Sequence, residues 1–375
     1  MSDDAPPEAD RLDDAPHPRA TARLFGQDAA EQTFLNAHNA GRLPHGWLLT
    51  GPKGVGKATF AWRAARFLLA TPMDDGDGLF GAPPPPATMN IDPDHPVASR
   101  MQALSEPGLC LLRRPWDEKA KRLKTQLTVD EVRNLKSFFA MSAGGNGRRV
   151  VIVDSADEMN TSAANALLKE LEEPPRDAVL LLISHRPSGL LPTIRSRCRT
   201  LRFQPLGPDD LTRALEQAGH PPTDNLQGLA ELAGGSVGEA VRLMSLGGVT
   251  LYADLLGLAA TLPRFDRSLA IRLSEATAGK QGEARFDLTL GLLDTLLSRL
   301  ARTGTTGLPH AEIVPGEAAT LARLAPDARA ARDWADLAAT LTARTRRGKA
   351  VNLDPAALTF DMFLDLDRVA SRLPA

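Results

Sequence analysis

A glycine-rich segment that ends in a lysine carries the clearest chemical signal in this sequence. Residues 51–57 read Gly-Pro-Lys-Gly-Val-Gly-Lys and fit the pattern G-x-x-x-x-G-K-[ST] up to its lysine. In this pattern the glycines let backbone N–H groups face phosphate oxygens, and the lysine adds positive charge. An apolar run at 45–50 precedes the segment and a helical pattern at 58–70 follows it. We therefore predict a phosphate-binding loop between a strand and a helix.

The last position of the pattern is different, because Ala58 stands where a serine or threonine hydroxyl would ligate magnesium. Thr59 comes one residue later, a rotation of about 100° around a helix, so its hydroxyl is not expected to replace the missing one. The prediction is a degenerate site that can bind nucleotide phosphates. The candidate nucleotide-binding residues are Gly51, Pro52, Lys53, Gly54, Val55, Gly56, Lys57, Ala58 and Thr59.

A carboxylate at the end of a second apolar run is the next candidate. Asp154 follows residues 150–153 and is Walker B-like, since it fits the carboxylate that holds the water shell of a nucleotide-bound metal ion. In active ATPases a glutamate normally follows and orients the attacking water, whereas this chain has Ser155. Glu158 is expected on the turn to the next helix, with its side chain on a solvated face. Efficient hydrolysis is therefore not expected.

The elements that must position these residues form two kinds of pattern. Apolar strand patterns alternate with helical patterns between residues 46 and 203, which predicts an α/β domain with a parallel sheet and helices on both faces. After Pro205 the patterns are helical. We predict a disordered tail at 1–23, a P-loop domain at 24–206 with a flexible insert at 71–96, a small helical lid at 207–250 and an all-helical domain at 251–375.

Composition and charge exclude several classes of function. With 44 Lys and Arg against 46 Asp and Glu, the net charge of -2 provides no general basic field for nucleic acid. The basic run Arg113–Lys124 is interpreted as a solvated or partner-facing surface rather than a DNA contact. Two cysteines cannot form a disulfide framework or a four-cysteine zinc site. Without a secretion signal or a membrane-spanning apolar run, the expected location is cytoplasmic.

Several segments together resemble bacterial clamp-loader AAA+ subunits. The resemblance covers about residues 24–245, and beyond them the chain is similar only in length and helicity. It implies an AAA+ P-loop domain, a lid and a helical collar for oligomerisation. It also implies a pentameric hetero-oligomeric ring with other clamp-loader subunits, which opens a sliding clamp and places it on primed DNA, with no membrane partner. The segments are Gly26-Gln27, 43–49, the phosphate loop, 165–175 with its Leu-Glu-Glu-Pro-Pro, and Ser196-Arg197-Cys198.

The resemblance also implies roles for individual residues. Arg197, between its motif neighbours Ser196 and Cys198, would be an arginine finger that acts in trans on the ATP of a neighbouring subunit. Ser184 takes the position of the first sensor residue, with a plain serine at a strand end as the equal alternative, and Gly238 stands where a second sensor arginine is expected. No cofactor is required for this role; ATP or ADP would bind without efficient hydrolysis, and no zinc is expected because the family's four-cysteine module is missing.

These residues favour a non-hydrolysing scaffold subunit that braces the ring. An alternative is a catalytically active AAA+ ATPase motor subunit that uses Thr59 and Glu158 in displaced geometry. A P-loop kinase of a small molecule is a third hypothesis, but it does not account for the Ser-Arg-Cys motif or the long helical region.

Overall fold

The described part of the chain forms two compact units. The computed structural model describes residues 7–12, 14–72, 84–140, 147–221, 225–279, 282–350 and 353–373, without the side chains of 346, 349 and 350. Contacts group residues up to 221 with 235–238 in a first unit, and 222–234 with 239–375 in a second. The predicted lid at 207–250 and collar at 251–375 have different bounds and stay predictions. Residues 73–83 of the predicted flexible insert lie outside the described residues.

Among its described residues the first unit has seven strands: β1 (Gly46–Thr50), β2 (Leu109–Arg113), β3 (Trp116–Asp117), β4 (Arg122–Leu123), β5 (Arg149–Asp154), β6 (Ala178–Ser184) and β7 (Arg199–Arg202). Five of them form one parallel sheet with the order β2-β5-β6-β1-β7. Every residue of β1 and β6 is buried, because helices cover both faces of a parallel sheet and apolar runs are needed there. The predicted sheet is confirmed.

The helices of the first unit pack against this sheet through apolar stripes. Leu167 and Leu171 of the fifth helix join a core cluster with Val151 and Leu180 of the sheet, as expected for residues spaced at one helical turn. The helices are α1 (Asp28–Asn39), α2 (Lys57–Ala70), α3 (Pro96–Gln102), α4 (Val129–Ala140), α5 (Thr161–Glu172), α6 (Pro192–Arg197) and α7 (Pro208–Gln217).

A small antiparallel hairpin, β3 with β4, occupies the basic run and was not predicted. Its strands have two residues each, too short for a periodic pattern. Arg114 Nε donates to Glu158 Oε2 at 2.8 Å, and Lys124 Nζ lies 3.7 Å from Glu131 Oε1. Part of the basic charge is therefore neutralised by acidic side chains of the same unit.

The N-terminal tail differs most from expectation. Residues 7–12 and 14–23, here called the N-terminal strap, pack against the first unit instead of remaining disordered; residues 1–6 and 13 lie outside the described residues. The His17 ring meets the Trp62 ring edge to face at 5.8 Å, and the Asp10 side chain is fully buried. Ion pairs with distant positions supply the stabilisation that the strap's composition does not reveal.

In its described residues the second unit contains only helices. A buried carboxylate, Glu317, accepts hydrogen bonds from Tyr252 Oη and Arg299 Nε, both at 2.6 Å, and from Ile313 N at 2.6 Å. This cluster ties three parts of the unit together. The helices are α8 (Leu226–Ala233), α9 (Val237–Ser245, whose first two residues group with the first unit), α10 (Gly248–Ala260), α11 (Arg267–Glu275), α12 (Glu283–Thr306), α13 (Glu317–Leu324), α14 (Ala328–Ala350) and α15 (Pro355–Ala370).

Candidate functional site

The phosphate loop lies where the sequence predicts it, between β1 and α2. Lys57 is the first residue of α2, and Gly56 before it has a φ of 101°, a left-handed conformation that favours glycine. The Lys57 side chain is buried, and its Nζ donates to Gly51 O at 2.6 Å and also to Pro52 O. The lysine thus closes the loop on itself and would exchange these contacts for phosphate oxygens when a nucleotide binds.

Three further carbonyls of the loop accept hydrogen bonds from elsewhere in the first unit. Ser236 Oγ donates to Lys53 O at 2.8 Å, and Gly238 N donates to Gly54 O at 3.4 Å. The Gln27 amide donates to the next carbonyl, that of residue 55, at 3.2 Å. Phosphate oxygens accept hydrogen bonds, so the backbone groups that can bind them are N–H donors, including the first N–H groups of α2. The loop therefore fits a phosphate group.

Burial also affects the pKa of the lysine. It lowers the pKa of Lys57 to about 8, although the carboxylates of Asp154 and Asp157 act in the opposite direction. A bound phosphate would add negative charge beside the ammonium group and favour its protonated form. Lys57 is therefore suited to a phosphate ligand.

Asp154 ends β5 at the same edge of the sheet. Desolvation raises its pKa to about 7, assisted by the negative charges of Asp10 and Glu158, against the opposing charges of Lys57 and Lys53. Ser155 follows it and is buried. Asp154 is thus placed as predicted, but its charge depends on its neighbours.

Glu158 lies in a short 3-10 helix, Ala156–Glu158, directly after β5, as the sequence predicts for a turn position. Its carboxylate is held by Arg114. Its role as a displaced catalytic base is therefore not favoured by its contacts.

The donor set for magnesium is incomplete. Ala58 has no side-chain oxygen, and Thr59, the third residue of α2, is only partly buried. Because Mg²⁺ prefers oxygen ligands in a strict octahedral arrangement, the loop does not offer the protein ligand that the pattern normally supplies. The residues present fit a phosphate but not this magnesium ligand.

Asp157 is a site residue that the sequence analysis missed. Its carboxylate accepts hydrogen bonds from Ser184 Oγ at 2.8 Å and from the backbone N–H groups of His185 and Arg186. It thus fixes the sensor-like Ser184, which is fully buried, at the end of β6. The only signal in the sequence is its position three residues after Asp154 in a run of acidic residues.

His185 lies beside the loop. Burial lowers its pKa to about 4, together with the charges of Lys57, Lys53 and Arg186, while Asp157 raises it. The ring is therefore neutral at pH 7 and adds no positive charge to the site.

Arg197 is the last residue of α6 and is partly exposed. Its Nη2 lies 2.7 Å from Glu172 Oε1, and its Nη1 donates to Thr193 O at 3.1 Å. The neighbouring Ser196 Oγ also donates to Thr193 O, at 3.1 Å. An ion pair this exposed contributes roughly 0–1 kcal/mol, so the guanidinium can leave Glu172 for a stronger anion.

Cys198 packs instead of reacting. Its side chain is buried, and this burial raises the pKa of the thiol to about 12. A Cβ added to Gly46 would lie 3.2 Å from Cys198 Sγ and 3.4 Å from Arg197 O. The arginine backbone therefore lies against the first residue of β1.

The two candidate sites consequently occupy opposite edges of the sheet. Arg197 lies beside Gly46, at the start of β1, whereas Gly51 follows its end. Five residues of extended chain span about 16 Å. Arg197 and the phosphate loop of the same chain are therefore separated by the length of a strand.

The second sensor position carries no charge. Gly238 contacts the loop through its backbone, as described above. Arg242, one turn later, has Nε and Nη2 at 3.0 and 2.6 Å from the carboxylate oxygens of Glu239. Arg242 is thus engaged in a local ion pair.

The described residues contain no group of three or more His, Cys, Asp or Glu side chains placed to hold a metal ion. Among them no single helix has both the length and the apolar character needed to cross a membrane, and only the bent pair Val237–Ser245 and Gly248–Ala260 satisfies that test jointly.

A family model described as DNA polymerase III, delta subunit, matches residues 26–207. This stretch contains the phosphate loop, Asp154 and Arg197. It begins just before α1 and ends just after β7.

Curated relatives match a little more than half of the chain. DNA polymerase III subunit delta' of Pseudomonas aeruginosa is 38% identical over 207 residues, which are 54% of this chain and 56% of the relative. Subunit delta' of Bacillus subtilis is 34% identical, over 58% of this chain and 59% of the relative. Subunit gamma/tau of Mycobacterium tuberculosis is 30% identical, over 58% of this chain and 35% of the relative. The chain thus spans little more than half the length of the two delta' relatives.

The fold and the loop define a P-loop domain of the AAA+ class. Over residues 26–207 this domain matches the family model of the DNA polymerase III delta subunit, and the chain is similar to the delta' subunits of that clamp loader. The predicted family resemblance is confirmed for this part of the chain.

Proposed function

We propose that this chain is a delta-prime-type subunit of a DNA polymerase III clamp loader and acts as a non-hydrolysing scaffold. In this role it occupies a place in a ring with other loader subunits and presents Arg197 to the ATP bound by a neighbour. The ring opens a sliding clamp and loads it on primed DNA. The match of residues 26–207 to the delta-subunit family model and the similarity of the chain to delta' and gamma/tau subunits support the assembly.

The single observation that carries the proposal is the position of Arg197 at the opposite edge of the sheet from its own phosphate loop. An arginine one strand length away cannot reach phosphates bound at Lys57. It is partly exposed and held only by Glu172 and a carbonyl. A planar, permanently charged guanidinium in this position suits a phosphate brought by another subunit.

The defects of the chain's own site support the non-hydrolysing role. Ala58 supplies no magnesium ligand, Ser155 replaces the expected catalytic glutamate, and Glu158 is paired with Arg114. With these groups missing, phosphate binding and hydrolysis become separable properties. ATP or ADP is the ligand expected at Lys57, without efficient turnover.

The arginine is tested in the reconstituted complex. Arg197→Ala should lower ATP turnover at the neighbouring site by about a thousandfold or more, the range typical of arginine fingers. Arg195→Ala is the matched control, because Arg195 is an exposed arginine of the same helix and its loss changes the net charge equally. Equal clamp-stimulated ATPase in the Arg197→Ala complex and the unaltered complex would remove the finger from the proposal.

The non-hydrolysing role is tested with the purified chain alone. Its ATP turnover should lie far below about 1 per second, the low end of ordinary enzyme rates. A turnover of about 1 per second or more that Lys57→Ala abolishes would instead favour the active motor subunit, and Thr59→Ala would then show whether the displaced hydroxyl is used.

A further inference from the structure

The N-terminal strap carries a buried acidic cluster at an unexpected place. Asp10 pairs with Arg113 through Nη1, and Glu8 Oε1 lies 2.9 Å from Arg113 Nη2. His17 Nε2 lies 3.2 Å from Asp10 Oδ2, and Glu8 also pairs with Arg19 at 2.8 Å. A fully buried carboxylate is costly unless it is paired, so these contacts hold this part of the strap in one position.

Arg113 places this cluster beside the candidate nucleotide site. It is the last residue of β2 and is in register with Asp154 of β5. The negative charge of Asp10 is among the causes that raise the pKa of Asp154. The acidic part of the strap therefore lies at the edge of the sheet where the phosphates of a bound nucleotide would be.

The strap then passes the phosphate loop. A Cβ added to Gly238, whose N–H donates to Gly54 O, would lie 3.8 Å from Leu12 Cδ2. A Cβ added to Gly56 would lie 2.5 Å from Leu24 Cδ1, just after the strap ends. The apolar side chains of Leu12, within the strap, and of Leu24, directly after it, thus lie close to the loop.

Helix α2 anchors the middle of the strap. Arg66 Nη2 donates to Arg19 O and Arg63 Nη1 donates to Ala22 O, both at 2.7 Å. His17 packs its ring against Trp62. The N-terminal strap is therefore attached at two places. One is the edge of the sheet where the phosphates of a nucleotide would be, and the other is α2, the helix that follows the loop.

We propose that the N-terminal strap covers the nucleotide-binding face of this chain and competes with a nucleoside di- or triphosphate for it. The carboxylates of Glu8 and Asp10 neutralise Arg113 and repel incoming phosphates, and Leu12 and Leu24 lie against the loop. The inference goes beyond the proposed subunit function, because it concerns this chain's own site and does not depend on Arg197. The strap keeps the subunit free of nucleotide until it is released.

Competition between the strap and a nucleotide predicts a measurable change in nucleotide affinity. If the strap covers the site in about 90% of molecules, the apparent affinity for nucleotide falls about tenfold, because only the uncovered fraction binds. Releasing the strap should raise the apparent nucleotide affinity by the same factor. Conversely, saturating nucleotide must displace the strap.

The experiment uses the full chain and ATP, with and without magnesium. Glu8→Gln with Asp10→Asn removes both carboxylates; Asp14→Asn, an exposed change in the same segment, is the matched control. Calorimetry measures the ATP affinity, and hydrogen exchange measures the protection of residues 7–23. The double variant should lose strap protection and bind ATP about tenfold more tightly than the unaltered chain, and the control should change neither. ATP should also increase exchange in the strap of the unaltered chain.

Either of two results overturns the proposal. One is a double variant with a released strap whose ATP affinity is unchanged or absent. The other is an unaltered chain that binds ATP while its strap stays protected. If the double variant leaves the strap protected, Arg113→Gln removes the partner on β2 and the same comparison is made; a strap protected in both variants also contradicts the proposal.

Discussion

At the residue scale, this site is defined by charges that depend on one another. Lys57, Asp154 and His185 all have pKa values shifted first by burial and then by their neighbours. The charge of Lys57 acts on both other groups, and the charge of Asp154 acts on Lys57 in return. Substituting Lys57 should therefore shift the pKa values of both Asp154 and His185.

The first prediction concerns His185 and pH. Its pKa of about 4 lies below the ordinary 6.5, so the unfolded chain binds a proton between these values that the folded chain does not. Its contribution to stability is complete above about pH 6.5 and is lost as pH falls toward 4. As the pH falls over this range, the free energy of unfolding should therefore decrease less for His185→Gln than for the unaltered chain, by up to about 1.4 kcal/mol per pH unit. Urea unfolding at several pH values measures this difference.

The control for this prediction is His310→Gln, because His310 is an exposed histidine of the second unit. The control should follow the unaltered chain at every pH. Parallel stability curves for His185→Gln and the unaltered chain would contradict the prediction.

At the element scale, a few side chains fix the loop to the surrounding strands and helices. Gln27, at the start of α1, is buried and connects the loop to the segment after β7. Its Nε2 donates to Val55 O at 3.2 Å and Gln204 O at 2.8 Å, and its Oε1 accepts from Gln204 N at 3.2 Å. This network gives Gln27 of the Gly-Gln segment a structural role.

Gln27→Ala should destabilise the chain by about 1–3 kcal/mol per buried group left without a partner. Gln32→Ala, an exposed change on the same helix, should stay within about 0.5 kcal/mol. Urea unfolding followed by tryptophan fluorescence compares the two variants. Equal midpoints for both would show that the Gln27 hydrogen bonds add no stability.

How much was predictable also differs among elements. The sheet and the loop were predictable because buried parallel strands need continuous apolar runs, and the loop needs glycines followed by lysine. The strap was not, since its proline-rich and acidic composition is typical of disorder. Its order depends on Arg113, about a hundred residues away in sequence. Such a long-range ion pair leaves no local pattern.

The candidate site divides in the same way. Lys57 and Asp154 lie within local motifs, so their types and spacing were sufficient to find them. Asp157 was missed because its function depends on the 3-10 turn that directs its carboxylate toward Ser184. The hairpin in the basic run was not predicted, because its strands are too short to show a periodic pattern.

At the scale of the whole molecule, the two units are stabilised in different ways. The first has a central apolar sheet, whereas the second combines apolar helix stripes with the buried Glu317 cluster. Arg299 lies against this carboxylate and is itself largely buried. Loss of the carboxylate charge leaves the guanidinium without its main partner.

Glu317→Gln should destabilise the second unit by about 3–5 kcal/mol, the cost of removing one member of a buried ion pair. Glu275→Gln, an exposed change in the same unit, is its control. Hydrogen exchange resolves the effect, because protection should fall in α10, α12 and α13 more than in the sheet. A uniform loss of protection throughout both units would contradict a local origin.

Strand β1 gives the molecule a mechanical property. It is five residues long, buried throughout and hydrogen-bonded to β6 on one side and β7 on the other. Gly46 at its start touches the Arg197 backbone, and Gly51 at its end opens the phosphate loop. A strand held on both sides resists stretching, so a shift of one end moves the other by the same amount. β1 is thus a rigid connection, through which a displacement at one edge of the sheet is transmitted to the opposite edge.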